Sequence, residues 1–245
     1  MRPFTLSIDI GGTGLKASVL DSRGRMTGHP SRVPTPARCT PTVLIAALDE
    51  LISPLPAFDR VSVGFPGVVR GGVVVTAPHF RTYFPPRFPL ARALALRWGK
   101  PVKLLNDADM QGLAVIRGAG LELVVTLGTG VGTALFLDGA LLPHLELAQH
   151  PSPSGRIYNE YIGDKILKRI GKRAWNTRVK AALEALRTLV NYDHLYVGGG
   201  NSRHVTFTLP NMRLVSNRAG LLGGIALWNG QAVTTSPRTA GRRGW

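Results

Sequence analysis

Two short glycine-rich stretches have the composition of phosphate-binding bends. Gly11-Gly12-Thr13-Gly14 follows the alternating stretch Phe4–Ile10, and Gly128-Thr129-Gly130 follows Leu123–Leu127 about half a chain later. Laid over one another, Gly11 falls on Gly128, Leu20 on Leu137 and Asp21 on Asp138 without a gap. Glycine lets backbone approach a ligand closely, and the free N–H groups of such a bend form a concavity that favours anions. Two copies in register are what two similar lobes facing each other across a cleft would show, each offering one hairpin to the same ligand. A third cluster, Gly198-Gly199-Gly200, closes another apolar run.

Rival readings of these glycines fail on local structure. Gly12-x-Gly14-x-x-Ala17 fits the dinucleotide fingerprint, but that fingerprint needs a helix behind it. Leu15–Leu20 is too short before the turn at Asp21-Ser22-Arg23-Gly24, and Val19 within it favours a strand. The mononucleotide loop, with its Gly-Lys-Ser/Thr ending, is absent. The single cysteine, Cys39, excludes an internal disulfide and a Cys-rich zinc site.

Hydrophobic periodicity supplies the elements that would hold these loops. Strands are expected at Phe4–Ile10, Leu15–Asp21 and Arg25–Val33 as an opening meander, then at Arg60–Gly64, Val68–Thr76 and Val102–Leu105. A helix capped by Thr40 or Thr42 runs through Leu51, a second spans Leu90–Trp98, and a third leads from Asn106-Asp107-Ala108-Asp109 to about Arg117. The second half repeats the scheme: strands Leu123–Leu127, Gly132–Leu137 and Ala140–Leu142, helices Asn159–Ile170 and Trp175–Val190, and strand His194–Val197. Short strands Val205–Leu209 and Met212–Val215 and a last helix Arg218–Asn229 complete it. The division expected is a first lobe over 1–105, a second over 106–230, and a flexible basic tail over 231–245.

Charge is the unusual property of the chain. Lys and Arg number 30 against 14 Asp and Glu, a formal net charge of +16. The stretch Arg70–Lys103 has no acidic residue, and Arg156–Lys180 has only Glu160 and Asp164. Such a field raises the local concentration of anions and falls off with salt. No helix-turn-helix, zinc finger or aromatic RNA platform is present, so nucleic acid is not the expected partner. No run reaches the ~20 apolar residues of a membrane span, and no basic-then-apolar leader precedes the first strand. A soluble cytoplasmic protein is the expectation.

Five motifs occur in an order that resembles the ROK-family sugar kinases. They are Asp9-Ile10-Gly11-Gly12-Thr13, Gly64-Phe65-Pro66-Gly67, Asn106-Asp107-Ala108-Asp109, Leu127-Gly128-Thr129-Gly130-Val131-Gly132 and Val197-Gly198-Gly199-Gly200. Leu105 before the third motif, and Ala219-Gly220 and Ala226-Leu227-Trp228 near the end, resemble the polyphosphate glucokinase branch. The resemblance implies an α/β, duplicated actin-like (ribonuclease-H-type) fold with two lobes and a central cleft. It implies phosphoryl transfer to a hexose, most simply glucose at its 6-hydroxyl, from polyphosphate and/or ATP, with Mg²⁺ as cofactor and a homodimer as the assembly. The family's cluster of three Cys and a His is missing, so no structural zinc is expected. The repressors of the family carry a DNA-binding extension, and only eight residues precede Asp9 here.

The same resemblance assigns roles. Asp107 would accept the proton of the sugar hydroxyl; a helix N-cap is the alternative use of an Asp in that position. Asp9 would hold Mg²⁺, since a hard cation prefers carboxylate oxygen, or it is a local turn carboxylate. Gly11, Gly12, Thr13, Gly14, Gly128, Thr129 and Gly130 would bind phosphate, and Lys16 faces either phosphate or solvent. Pro66, Gly67, Asn106 and Glu146 would bind the sugar. The usual Glu-Leu-Gly-His appears as Glu146-Leu147-Ala148-Gln149, with His150 next door as a further sugar contact. Glu160 stands where a second sugar-binding Glu is expected, or pairs with Lys165. Gly198, Gly199 and Gly200 would contact a nucleotide.

Overall fold

The computed structural model describes residues 2–80, 83–152, 154–216 and 219–228. The first half contains β1 (Thr5–Ile10), β2 (Gly14–Leu20), β3 (Ser31–Pro34), α1 (Pro41–Ile52), β4 (Arg60–Phe65), β5 (Val69–Arg70), β6 (Val73–Val74), α2 (Leu90–Trp98) and β7 (Val102–Asn106). The second contains α3 (Asp107–Gly112), β8 (Leu121–Leu127), β9 (Val131–Leu137), β10 (Ala140–Leu141), α4 (Tyr158–Ile162), α5 (Asp164–Val190), β11 (His194–Gly198), β12 (Met212–Leu214) and α6 (Ala219–Ala226).

Two five-stranded sheets have the orders β3-β2-β1-β4-β7 and β10-β9-β8-β11-β12. In each, the first two pairings are antiparallel and the last two parallel, position for position. The glycine loops are the turns of the equivalent hairpins β1–β2 and β8–β9, where Ile10 faces Leu15 and Leu127 faces Val131. Both hairpins have a buried central strand; β8 reads in sequence as a mostly apolar run, whereas β1 alternates with Thr5, Ser7 and Asp9. Thr40 caps α1 by accepting from Val43 N at 3.2 Å, and Leu44, Leu48 and Leu51 bury its apolar face on the first core. Trp175, fully buried on α5, anchors the second core and donates from Nε1 to Ile162 O at 2.7 Å.

Several expected elements differ, each for a local reason. The strand expected over Arg25–Val33 shrinks to β3 because the Asp21 carboxylate accepts from Arg23 N and Arg25 N at 2.8 and 2.9 Å, curling the chain. The strand expected over Val68–Thr76 is a tight hairpin, β5–β6, folded at Gly71 and Gly72, both at positive φ. Helix α3 stops at Gly112 rather than near Arg117, where the buried Glu122 carboxylate accepts from Arg117 N at 2.7 Å and Gly118 N at 2.8 Å. Where two helices were expected from Asn159 onward, α4 ends at Gly163 and α5 runs on to Val190 across a break at Gly171 (φ 76°, ψ 166°). Val205–Leu209 is not a strand. The Asn176 side chain serves its backbone instead, accepting from Thr206 N and donating to His204 O, both at 2.8 Å. The ends of the last expected helix, Arg218 and Asn229, and the expected tail over 231–245 lie outside the described residues.

Helix α6, late in the chain, returns to the first sheet. Ser7 Oγ donates to Leu221 O and Ser62 Oγ to Gly224 O, both at 2.7 Å. Below it, Trp228 donates to Ser62 Oγ at 2.8 Å while the Lys103 ammonium stands 4.6 Å from its ring centroid. On its other side α6 lies so close to α3 that a Cβ on Gly223 would collide with the Met110 carbonyl. Among the described residues no helix is long and apolar enough to cross a membrane.

This close approach has a sign that can be measured. Ala in place of Gly inside a helix normally stabilises by about 0.5–1 kcal/mol, whereas overpacking costs about 1–3 kcal/mol. Gly223→Ala should therefore lower the melting temperature by several degrees, and a rise would mean that α6 does not pack on α3.

Candidate active site

A cleft of about 780 Å³ opens between the two hairpins. Asp107 lies on its wall at the end of β7, where a strand buried among apolar neighbours hands over to the first residue of α3. The helix cap is Asn106, whose Oδ1 accepts from Ala108 N at 2.8 Å and Asp109 N at 3.2 Å. Its Nδ2 donates to Phe65 O and Gly67 O at 3.4 and 3.2 Å. Asn106, expected as a sugar ligand, thus spends its polar groups on the protein, and in doing so ties the Pro66-Gly67 turn to α3. Asp107 Oδ1 shares the Ala108 N–H with this neighbour, at 2.9 Å. Burial, and then the charge of Asp9, push its carboxyl up to about 7.

Asp9 sits directly opposite Lys16 in the β1–β2 register, with Lys16 Nζ 3.5 Å from its Oδ2. Burial raises the Asp9 carboxyl and Lys16 counters that rise. Both side chains line the cleft, so Lys16 faces the ligand space. Gly11, Gly12, Thr13 and Gly14 line one side, and Gly128, Thr129 and Gly130 the other. The second hairpin is braced from behind. Asn159 Oδ1 accepts from Val131 N at 2.6 Å, Asp164 N donates to Gly128 O at 3.1 Å, and Asn201 Nδ2 donates to the same oxygen at 3.2 Å. Gly199 and Gly200 also line the cleft, and Gly199, at φ 84°, has backbone of Leu127 where a Cβ would stand.

Pro66, Gly67 and Glu146, expected to bind the sugar, all line the cleft. Glu146 comes with a partner that no motif announces: His144, only 4% exposed, has Nδ1 3.0 Å from Asp109 Oδ1 and Nε2 3.7 Å from Glu146 Oε1. Burial opposes charge on this imidazole, but the two carboxylates outweigh it and lift its pKa to about 10. The signal available in sequence was the i, i+2 spacing of His144 and Glu146, which puts both on one face of an extended segment.

Three expected residues are not brought into the cleft. His150 leaves the turn Leu147–Gln149 in extended conformation and packs its ring 5.7 Å from that of Tyr158. Glu160 is exposed, because it follows Asn159 on α4 and successive helical side chains diverge by ~100°. Asn159 is the one that turns to the hairpin. Gly198 is not in the lining; it leaves room for Gln111, whose Nε2 stands where its Cβ would be. Gln111 lines the cleft, and its Nε2 is buried with no partner among the described residues.

The sequence profile of the ROK family matches residues 5–143. The chain belongs to the ROK family. The polyphosphate glucokinase of Mycobacterium tuberculosis strain H37Rv is 29% identical over 233 residues, 88% of each chain. Among solved structures, an inorganic polyphosphate/ATP-glucomannokinase from Arthrobacter sp. strain KM is 31% identical with TM-score 0.81, covering 92% of this chain and 99% of its own. A ROK family glucokinase from Streptomyces griseus, in complex with glucose and AMPPNP, has TM-score 0.73 at 19% identity, covering 91% and 98%. The duplicated sheets are therefore those of the actin-like, two-lobed ROK fold.

In this ROK chain the His144 bridge has a pH signature. An imidazole whose folded pKa lies above its ordinary 6.5 adds stability that is fully present below 6.5 and lost as pH rises through about 10. Urea denaturation should thus find wild type furthest ahead of His144→Gln near pH 6 and losing that lead by pH 10. A lead independent of pH would show that the fold leaves the His144 pKa unshifted.

Proposed function

We propose that the protein is a hexose kinase that phosphorylates glucose, at its 6-hydroxyl, with polyphosphate or ATP as donor. The observation that carries this reading is Asp107: a half-buried carboxyl raised to about 7, on the wall of a cleft that two glycine-rich hairpins enclose. The polyphosphate glucokinase relative and the glucomannokinase and glucokinase structures support the choice of substrates.

Phosphoryl transfer needs a proton acceptor at the attacking hydroxyl and neutralised charge around the phosphoryl group. In this reading Glu146, held by the His144 imidazolium, accepts hydrogen bonds from sugar hydroxyls and fixes the ring beside the Pro66-Gly67 turn. Asp107 takes the proton of the attacking hydroxyl. Backbone N–H groups of both hairpins, with Lys16, Lys165 and Lys168 in the same lining, receive the donor's phosphates. The donor set suits Mg²⁺, which keeps most of its waters and takes one or two carboxylates plus phosphate oxygens. Asp9 is the carboxylate that would hold it, and its charge already burdens Asp107. When bound, Mg²⁺ supplies positive charge to the phosphates. Assembly as a homodimer, in the cytoplasm, belongs to the same proposal, and light scattering on the eluted protein tests the dimer.

The decisive assay gives purified protein Mg²⁺, a panel of hexoses including glucose, and ATP or polyphosphate separately. No turnover with any pair would refute the reading. Turnover should climb as pH rises through about 7, since only ionised Asp107 accepts a proton and about a tenth of it is ionised at pH 6. Asp107→Asn, nearly isosteric, should keep sugar binding and lose about 10²–10⁴ in rate. Retention of more than about a tenth of the wild-type rate, less than that range allows, would remove Asp107 from the chemistry.

A further inference from the structure

A second cavity, of about 410 Å³, adjoins the cleft on the α4–α5 side. Asn159 and Lys165 line both cavities, so the two adjoin at these residues. Beyond them the second cavity is lined by Arg156, Glu160, Ile166 and Arg169. Among the described residues none of Arg156, Lys165 and Arg169 has an ion-pair partner, in contrast to Lys168, which is 2.6 Å from Asp164. Three uncompensated cations against the single carboxylate of Glu160 make a net positive basin that an anion would fill. No aromatic side chain lines it, so there is no platform on which a nucleobase could stack.

We propose that this basin is a distal phosphate subsite, which receives the part of a linear polyphosphate that extends beyond the cleft. The inference rests on the polyphosphate reading above and specifies where the chain leaves the site: past Lys165, between Arg156 and Arg169. Among the described residues the other basic stretch, Arg70–Lys103, contributes no lining cation to either cavity. A short donor, ATP or tripolyphosphate, is held by the hairpins and gains nothing from the basin. A long chain gains two or three further contacts with exposed cations, each modest and screened by salt.

The test is the double variant Arg156→Ala/Arg169→Ala, assayed with glucose against long-chain polyphosphate, tripolyphosphate and ATP. The KM for the long chain should rise about tenfold at low salt. The KM for tripolyphosphate, ATP and glucose should stay within about twofold, and the long-chain effect should shrink towards ~0.5 M salt. An equal loss with all donors would overturn the subsite, since the arginines would then act through folding or general steering. An unchanged long-chain KM in an enzyme that does use polyphosphate would overturn the subsite and leave the kinase reading intact. A wild type inert to polyphosphate of every length but active with ATP would overturn the polyphosphate reading together with the subsite.

Discussion

The cleft depends on a six-residue helix that could not exist alone. Nucleating a helical turn is unfavourable, and α3 is shorter than any isolated helix that persists in water. Its context supplies what its length cannot. Asn106 satisfies two N–H groups at its start. Gly64, Gly112 and Gly223 let β4, β9 and α6 come closer than a Cβ would allow, against Asp107 and Met110, Phe136, and the Met110 carbonyl respectively. One short helix is thereby clamped between the two sheets, with its first residue on the cleft wall. The glycines do conformationally little at these positions; their value is the missing side chain.

That clamp also explains why a carboxylate can be kept there with a raised pKa. Desolvation disfavours its charge, and Asp9 and Asp109 add repulsion that the N-terminal amide of Ala108 and the His144 imidazolium only partly offset. Asp109, two residues on, is buried as well but has His144 Nδ1 directly on its carboxylate at 3.0 Å. The two carboxyls of one motif are thus set apart by their partners: Asp109 is tied into a structural ion pair, and Asp107 is left to face the ligand.

The duplication was legible because it depends on backbone. Glycine bends between strand-like stretches survive in sequence as a pattern, and both hairpins, both central strands and the Asn106-Asp107 handover stand where that pattern put them. Side-chain direction was less legible. Asn159 and Glu160 are neighbours in sequence but point ~100° apart on a helix, and only the docking of α4 on Val131 decides which one meets the hairpin. His144 carries no motif, and its partner Asp109 is distant in sequence and reaches it through the fold. Gly198 belongs to a genuine glycine cluster, yet its role is to admit Gln111. The Arg25–Val33 strand failed because a single Asp21 side chain outcompeted the ladder for two backbone donors.

Net charge alone did not locate the anion site, since 30 basic residues spread over the chain could serve solubility anywhere. Position sorts them. Lys103 is spent on the Leu227 carbonyl at 3.0 Å and on the Trp228 ring, and Arg97 on Asp49 at 2.9 Å, which makes part of the first basic stretch structural. In the second stretch Lys165 and Lys168 face the cleft on successive portions of one helix whose N-terminus abuts the second hairpin. The amides of a glycine bend and the cations beside it favour the same sign of ligand. A polyanion entering there lowers the cost of those cations, while its own charge would push Asp107 further up. In the proposed reading, positive charge beside the hairpins offsets the burden on Asp107, and the placement of Lys16 opposite Asp9 is where the two demands meet.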